Sequence, residues 1–247
     1  MDRALYISMS GAKHNMLEQA ARSHNLANVS TVGFKADFVN ALSQPLQGGG
    51  GYASRAYAVA QTPSADLSAA PLMETGRELD VAVDGAGWFA VQTADGREAY
   101  SRSGNLSVDA LGVLRDARGL PVLGDDGPIA LPESEKIEIA SDGTISVRAL
   151  GQGPETLVVA DRMRLVNPQL GALQKQRDGF LYSVDGAEPP AAEVRLRTGF
   201  LESSNVNAVA ELTSIVSLAR QFEMQIKMMQ TIAENSESTT RVLRVQL

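Results

Sequence analysis

Catalysis needs a nucleophile, a base or a metal ion held by converging side chains, and few residues here can supply one. Histidine occurs twice, as His14 and His24. On one helix this spacing leaves the two rings about 80° apart around the axis, so they do not converge on a metal ion. A Ser-His-Asp relay would have to borrow one of them from a helix patterned for packing. Cysteine is absent, which removes thiol nucleophiles, thiolate metal sites and disulfides together. The aspartates Asp80, Asp84, Asp95, Asp109, Asp125, Asp126 and Asp142 mostly stand beside glycine, where the carboxylate bonds its own backbone in a turn. Gly85–Ala86–Gly87–Trp88 begins like a dinucleotide fingerprint, then lacks the third glycine and runs into a strand pattern. Trp88 reads as a core aromatic. No catalytic constellation, no metal-ligand set and no cofactor motif results, and the chain is expected not to be an enzyme.

Stepping out to the whole chain, 44% apolar and 21% charged residues describe an ordinary folded protein, large enough for one sizeable domain or two small ones. A formal charge of −7, with no basic run, argues against a nucleic-acid surface and against a polybasic membrane patch. No stretch approaches the ~20 apolar residues of a membrane span, so no membrane insertion is expected. Met1 to Asn15 carry Asp2, Arg3, Lys13 and His14 and no apolar run of signal-peptide length.

The C-terminal forty residues organise the chain. Leu212, Ile215, Ala219, Phe222, Ile226, Met229, Ala233, Ser236, Thr240, Leu243 and Leu247 recur at three-four spacing without Gly or Pro, a heptad seam turned toward a partner helix. Val216, Leu218, Met224, Met228 and Ile232 are apolar outside that seam, which implies more than one neighbour. A core helix of a globular bundle fits the spacing equally well. A second amphipathic helix is expected over residues 3–28, with Leu5, Met9, Ala12, Met16, Ser23 and Leu26 on one stripe. It ends before Gly33, a residue suited to a turn with positive φ. Residues 35–76, with Gly48–Gly51 and three prolines, read as a linker.

From Arg77 to Glu202 short alternating segments such as Trp88–Gln92, Thr144–Val147 and Val194–Arg197 are separated by Asp95–Gly96, Asp126–Gly127, Asp142–Gly143 and Asp178–Gly179. Asp-Gly between strand candidates signals hairpins, and this spacing points to an antiparallel all-β domain of barrel or sandwich type. The fold class is therefore α+β. Its divisions are an N-terminal helix (1–34), a linker (35–76), a β domain (77–202) and a C-terminal helix (203–247), the two helices forming a coiled-coil-like terminal domain.

The stretch Asn25–Leu26–Ala27–Asn28–Val29–Ser30–Thr31–Val32–Gly33–Phe34–Lys35 resembles the signature closing the N-terminal helix of flagellar axial proteins, the rod and hook family. Leu79 to Phe89, Tyr100–Ser101–Arg102–Ser103–Gly104–Asn105–Leu106 and Gly199–Phe200–Leu201–Glu202–Ser203–Ser204–Asn205–Val206 are further matches, so the resemblance spans nearly the whole chain. The opening Met1–Asp2–Arg3, Tyr6, Trp88 and Arg220–Gln221–Phe222–Glu223–Met224 point within the family to its proximal-rod branch, with the distal-rod branch as the alternative. The chain is too short for a hook protein with its outer domain.

This resemblance implies a structural subunit of the flagellar basal-body rod, without cofactor, whose partners are other rod proteins, copies of itself and the flagellar type III export apparatus. It also implies assembly in the periplasm after export without a cleaved signal. The family motif residues are Asn25, Leu26, Ala27, Asn28, Thr31, Gly33 and Phe34. The helix interface is expected at Leu5, Met9, Met16, Leu26, Leu212, Ile215, Phe222, Ile226, Met229 and Leu243. A rival of another class is a carbohydrate binder or hydrolase on a coiled-coil stalk, which would need converging polar groups in a pocket. Phe34 and Phe38 resemble the element read by the export gate. Changing both to Ala should abolish secretion into the medium of a hook-less strain, and unchanged secretion would remove that role.

Overall fold

The computed structural model describes residues 3–45, 56–60, 64–149, 151, 156–169, 171–176, 178–184 and 186–245. It is α+β, with a helix toward each end and an antiparallel β region between them. The chain forms two compact units. One contains Met1–Asn28, Asp37–Asp66 and Val206–Leu247, the other Val29–Ala36 and Leu67–Asn205.

In the first unit, helix α1 (Arg3–Ala27) and helix α2 (Ala208–Val245) run antiparallel, because Gly11 faces Gln225 while Arg22 pairs with Glu211. A Cβ on Gly11 would lie 3.1 Å from the Gln225 amide, so the missing side chain permits this approach. Asn207 caps α2, its Oδ1 accepting from the backbone N–H groups of Val209 and Ala210 at 3.1 and 3.2 Å. The helix therefore begins at Ala208, inside the expected C-terminal division of residues 203–247.

On α1 the face in contact is not the one with the largest side chains. On α1 the buried positions are Ser8, Ala12, Asn15 and Asn25, while Met9 and Met16 are 50% and 58% exposed. On α2 the inner positions are Glu211, Ile215, Leu218, Phe222, Gln225, Met229 and Ile232, still at three-four spacing. Leu218 is 6% exposed and Leu212 51%. Small residues on α1 let the helices approach, and the bulky methionines turn outward. At about 1.5 Å per residue α2 is roughly 20 Å longer than α1, and residues 233–241 are exposed.

The segment expected to be a linker carries strands. Ala41–Pro45 pairs with Ala56–Ala60, and Asp37–Phe38 with Ser64–Ala65. Alanine and serine give such strands little period, and their pairing rests on tertiary packing, the Ala56–Ala60 strand lying against α1. Gly48–Gly51 lie outside the described residues.

The second unit contains a five-stranded antiparallel sheet in the spatial order Leu165–Val166, Trp88–Gln92, Glu98–Ser101, Leu181–Ser183 and Leu173–Lys175. Ser134–Ile139, Thr144–Ala149 and Val158–Arg162 form a three-stranded sheet. Two-stranded pieces join Arg195–Thr198 to Val81–Asp84, and Phe200–Glu202 to Leu72–Glu74. Among the described residues these sheets do not close into a barrel. Strands of two to six residues are too short to keep one ladder running around a core. Small sheets instead cover a shared core that includes Val81, Phe89, Val91, Leu106, Leu114, Val122, Ile129 and Ile145, all fully buried.

The Asp-Gly turns behave as their chemistry requires. Asp142 accepts from the N–H and the hydroxyl of Thr144, bonds that hold its carboxyl below the usual carboxylate range. Gly143 follows with φ +87°. Gly104 is constrained differently, since a Cβ there would overlap the carbonyl oxygen of Val81, which is itself buried in the core. Gly104→Ala is expected to lower the unfolding free energy of the full chain by ~3 kcal/mol, read as a shift of the urea midpoint.

Candidate functional site

Two of the family-motif residues, Asn25 and Gly33, belong to buried polar clusters, one in each unit. In the helical unit Asn25 is fully buried. Its Nδ2 donates to the carbonyl oxygen of Asp37 at 2.8 Å, and its Oδ1 accepts from the N–H of the same residue at 2.7 Å. One amide side chain thus pairs with the backbone as a neighbouring strand would. Glu211 accepts from Arg22 at 3.2 Å and from Asn25 at 3.4 Å, so the last turns of α1 are tied to the first turn of α2. Asn28 closes α1, its Nδ2 donating to the His24 carbonyl at 2.9 Å.

In the β unit the centre is Glu202, 1% exposed. Lys35 Nζ meets its Oε1 at 2.7 Å, Arg102 Nη1 meets its Oε2 at 2.8 Å, and the N–H of Ala70 donates to Oε1 at 3.0 Å. Lys35 also donates to the Ser68 carbonyl at 2.6 Å, and Arg102 to that of Gly85 at 2.8 Å. Both cations lie over Trp88, at 5.7 and 4.9 Å from the ring centre. Trp88 is buried as expected of a core aromatic, but it serves the charge cluster. Burial alone would raise the Glu202 pKa. Arg102, then Lys35 and the Ala70 N–H, outweigh it and hold the carboxyl below its ordinary 4.5.

Gly33 makes the cluster reachable. Its φ is +67° and its N–H donates to the Glu202 carbonyl at 2.8 Å. A Cβ there would overlap the backbone of Arg102 and Ser103, so only glycine fits on both counts. Phe34 follows under the Lys175 ammonium at 4.6 Å, and its carbonyl accepts from the N–H of Asn205. The Asn205 side chain accepts from the N–H of Ala36 at 2.8 Å. Thr31 is exposed. Phe38 is half-buried on the strand Asp37–Phe38, in the other unit from Phe34.

Chemically, this is a lock. Every Glu202 oxygen is engaged, so none is available as a base. Burial pushes the Tyr100 hydroxyl up to about 12, which keeps it protonated. His24 pairs with Asp37 at 2.9 Å and His14 with Glu18 at 3.6 Å. Among the described residues no group of three side chains could hold a metal ion, and no helix is long and apolar enough to cross a membrane.

Of the residues expected at the helix interface, Ile215, Phe222, Ile226 and Met229 are half-buried, as are Leu5 and Leu26. Met9, Met16 and Leu212 face outward. The side chain of Leu243 lies outside the described residues. Lys35, Arg102 and Glu202 were not singled out from sequence. Each sits inside one of the quoted motifs, and a charge placed in an apolar run, as in Phe200–Leu201–Glu202, was the available signal.

The model described as "Flagellar hook protein FlgE/F/G D1 domain" matches residues 82–147, and "Flagellar basal body rod FlgEFG protein C-terminal" matches 197–242. The chain is 39% identical to the flagellar basal-body rod protein FlgF of Salmonella typhimurium, over 98% of its length and 99% of that protein. Identity to FlgF of Escherichia coli is 40% over the same shares. The FlgG rod protein of Bacillus subtilis is 32% identical over 95% of this chain and 96% of its own. The chain belongs to the flagellar basal-body rod protein family and is a structural subunit of the rod.

Replacing Glu202 by Gln leaves two buried cations short of their counter-charge and should cost ~3–5 kcal/mol, measured by urea unfolding. The pH dependence follows from the sign of the shift. A carboxylate with a lowered folded-state pKa contributes stability that is present above its unfolded value of about 4.5. That contribution should disappear as the pH falls through the lower folded value, and Glu202→Gln should flatten this part of the stability profile.

Proposed function

We propose that the chain is a proximal-rod subunit that polymerises with other rod proteins and with copies of itself through α1 and α2. Pairs of helices, packed in coiled-coil fashion, line the axial shaft and its export channel, while the β domain of residues 77–202 lies outside. The subunit is non-enzymatic. It leaves the cytoplasm through the flagellar type III export apparatus without a cleaved signal and assembles in the periplasm.

One observation carries this reading. The helices pack against each other along one face and still expose a second apolar face. Val209, Leu212, Val216, Met224 and Met228 on α2 are 51–70% exposed, and Tyr6, Met9, Met16 and Leu17 on α1 are 40–58% exposed. Burying each such side chain is worth roughly 1.5–3 kcal/mol, and contiguous exposed patches of this kind mark interaction sites. The higher identity to FlgF than to FlgG supports the proximal position, and the copy number per isolated basal body tests it.

The double variant Val216→Asp/Met224→Asp should leave the monomer folded, with an unchanged thermal melt, and give basal bodies without a complete rod. Phe222→Asp, on the inner face, should also block assembly but should lower the stability of the helical unit by ~2–4 kcal/mol as well. Normal motility in the first variant would count decisively against assembly through these helices.

A further inference from the structure

The β unit contains a cleft of about 250 Å³ that the lock at Glu202 does not fill. Lys35, Arg102, Arg118 and Lys175 border it, with Trp88 and Phe34 as apolar walls, and none of its lining residues is acidic. Glu202 neutralises one of the two inner cations. Arg118 reaches Asp116 only at 3.5 Å and spreads over the Phe180 ring at 4.1 Å. Arg102 is 5% exposed and held by Glu202 and the Gly85 carbonyl, so its charge backs the cleft while Arg118 and Lys175 stand at its border.

The same chain carries a matching acceptor. Among its described Asp-Gly turns, the carboxylates of Asp95, Asp142 and Asp178 are all engaged, by Arg97, Thr144 and Tyr182 respectively. The exception is the tip Gly124–Asp125–Asp126–Gly127. There the N–H of Gly124 donates to the Gly127 carbonyl at 2.7 Å, below a bridge between Leu123 and Pro128. Asp125 and Asp126 are both exposed, two adjacent charges without an ion pair or side-chain hydrogen bond. A four-residue tip is slender enough to enter a cleft, and turn chemistry does not need its second carboxylate.

We propose that the Asp125–Asp126 tip of one copy docks in the cationic cleft of the next. The contact is heterologous, tip to cleft, and so repeats from copy to copy without closing on itself, as a helical assembly requires. It adds to the helix contacts a polar, orientation-setting one outside them, in which charge pairing fixes register between neighbours.

Because the chain has no cysteine, a strain whose only copy carries Asp126→Cys with Ala117→Cys, on the cleft wall, reports the contact directly. Mild oxidation of isolated basal bodies should yield disulfide-linked dimers and longer ladders of this chain. Either single variant should yield none, and reduction should collapse the ladders. Assembled rods that give only monomer, or cross-links only to a different rod protein, overturn the proposal. Should the double-cysteine strain build no rod, charge exchange decides. Asp125→Lys/Asp126→Lys and Arg118→Glu/Lys175→Glu should each abolish swimming while the monomer still unfolds in one cooperative melt, and combining all four should restore it. A parent pair that swims normally, or a fourfold variant as immotile as its parents, equally overturns the contact.

Discussion

Burying a carboxylate away from water is prohibitive unless its charge and both oxygens are answered, and the β unit is arranged to meet that demand at Glu202. Lys35 arrives from the loop before the first strand, Arg102 from the loop directly after the strand Glu98–Ser101, and the Ala70 N–H from the segment leading into Leu72–Glu74. Four pieces of chain distant in sequence therefore have to meet at one point. A buried ion pair adds little net stability over an apolar replacement, but losing one partner is expensive. Such a cluster serves specificity: few other arrangements of these segments leave no bare charge.

Gly33 shows how a single backbone position serves that cluster. Its positive φ turns the chain, its N–H meets the Glu202 carbonyl, and its bare Cα admits the backbone of Arg102 and Ser103. The loop 29–36 is thus built into the β unit through its main chain as well as through Lys35. In the helical unit Asn25 plays a comparable part with neutral groups, its amide completing the pairing of Asp37.

The helices work on the opposite principle. The inner face of α1 uses small or polar residues, Ser8, Ala12 and Asn15, while that of α2 carries Ile215, Leu218 and Phe222, which brings the axes close and leaves Met9 and Met16 outside. The exposed Val209, Leu212, Val216, Met224 and Met228 of α2 and Tyr6, Met9, Met16 and Leu17 of α1 are the apolar surface that this pairing leaves uncovered.

Local chemistry was enough to read the helices and the Asp-Gly hairpins, because periodicity and turn residues are properties of short segments. The family was legible for the same reason: Asn25 to Lys35 and Gly199 to Val206 are contiguous. Three things were decided only by tertiary structure. Which face of α2 turns inward depends on the small residues of α1, so Leu218 rather than Leu212 is buried. The strands between residues 37 and 65 exist through pairing and packing that Ala and Ser do not announce. The union of Lys35, Arg102 and Glu202 joins residues up to 167 positions apart, and burial of a charge becomes visible only once the chain has closed around it.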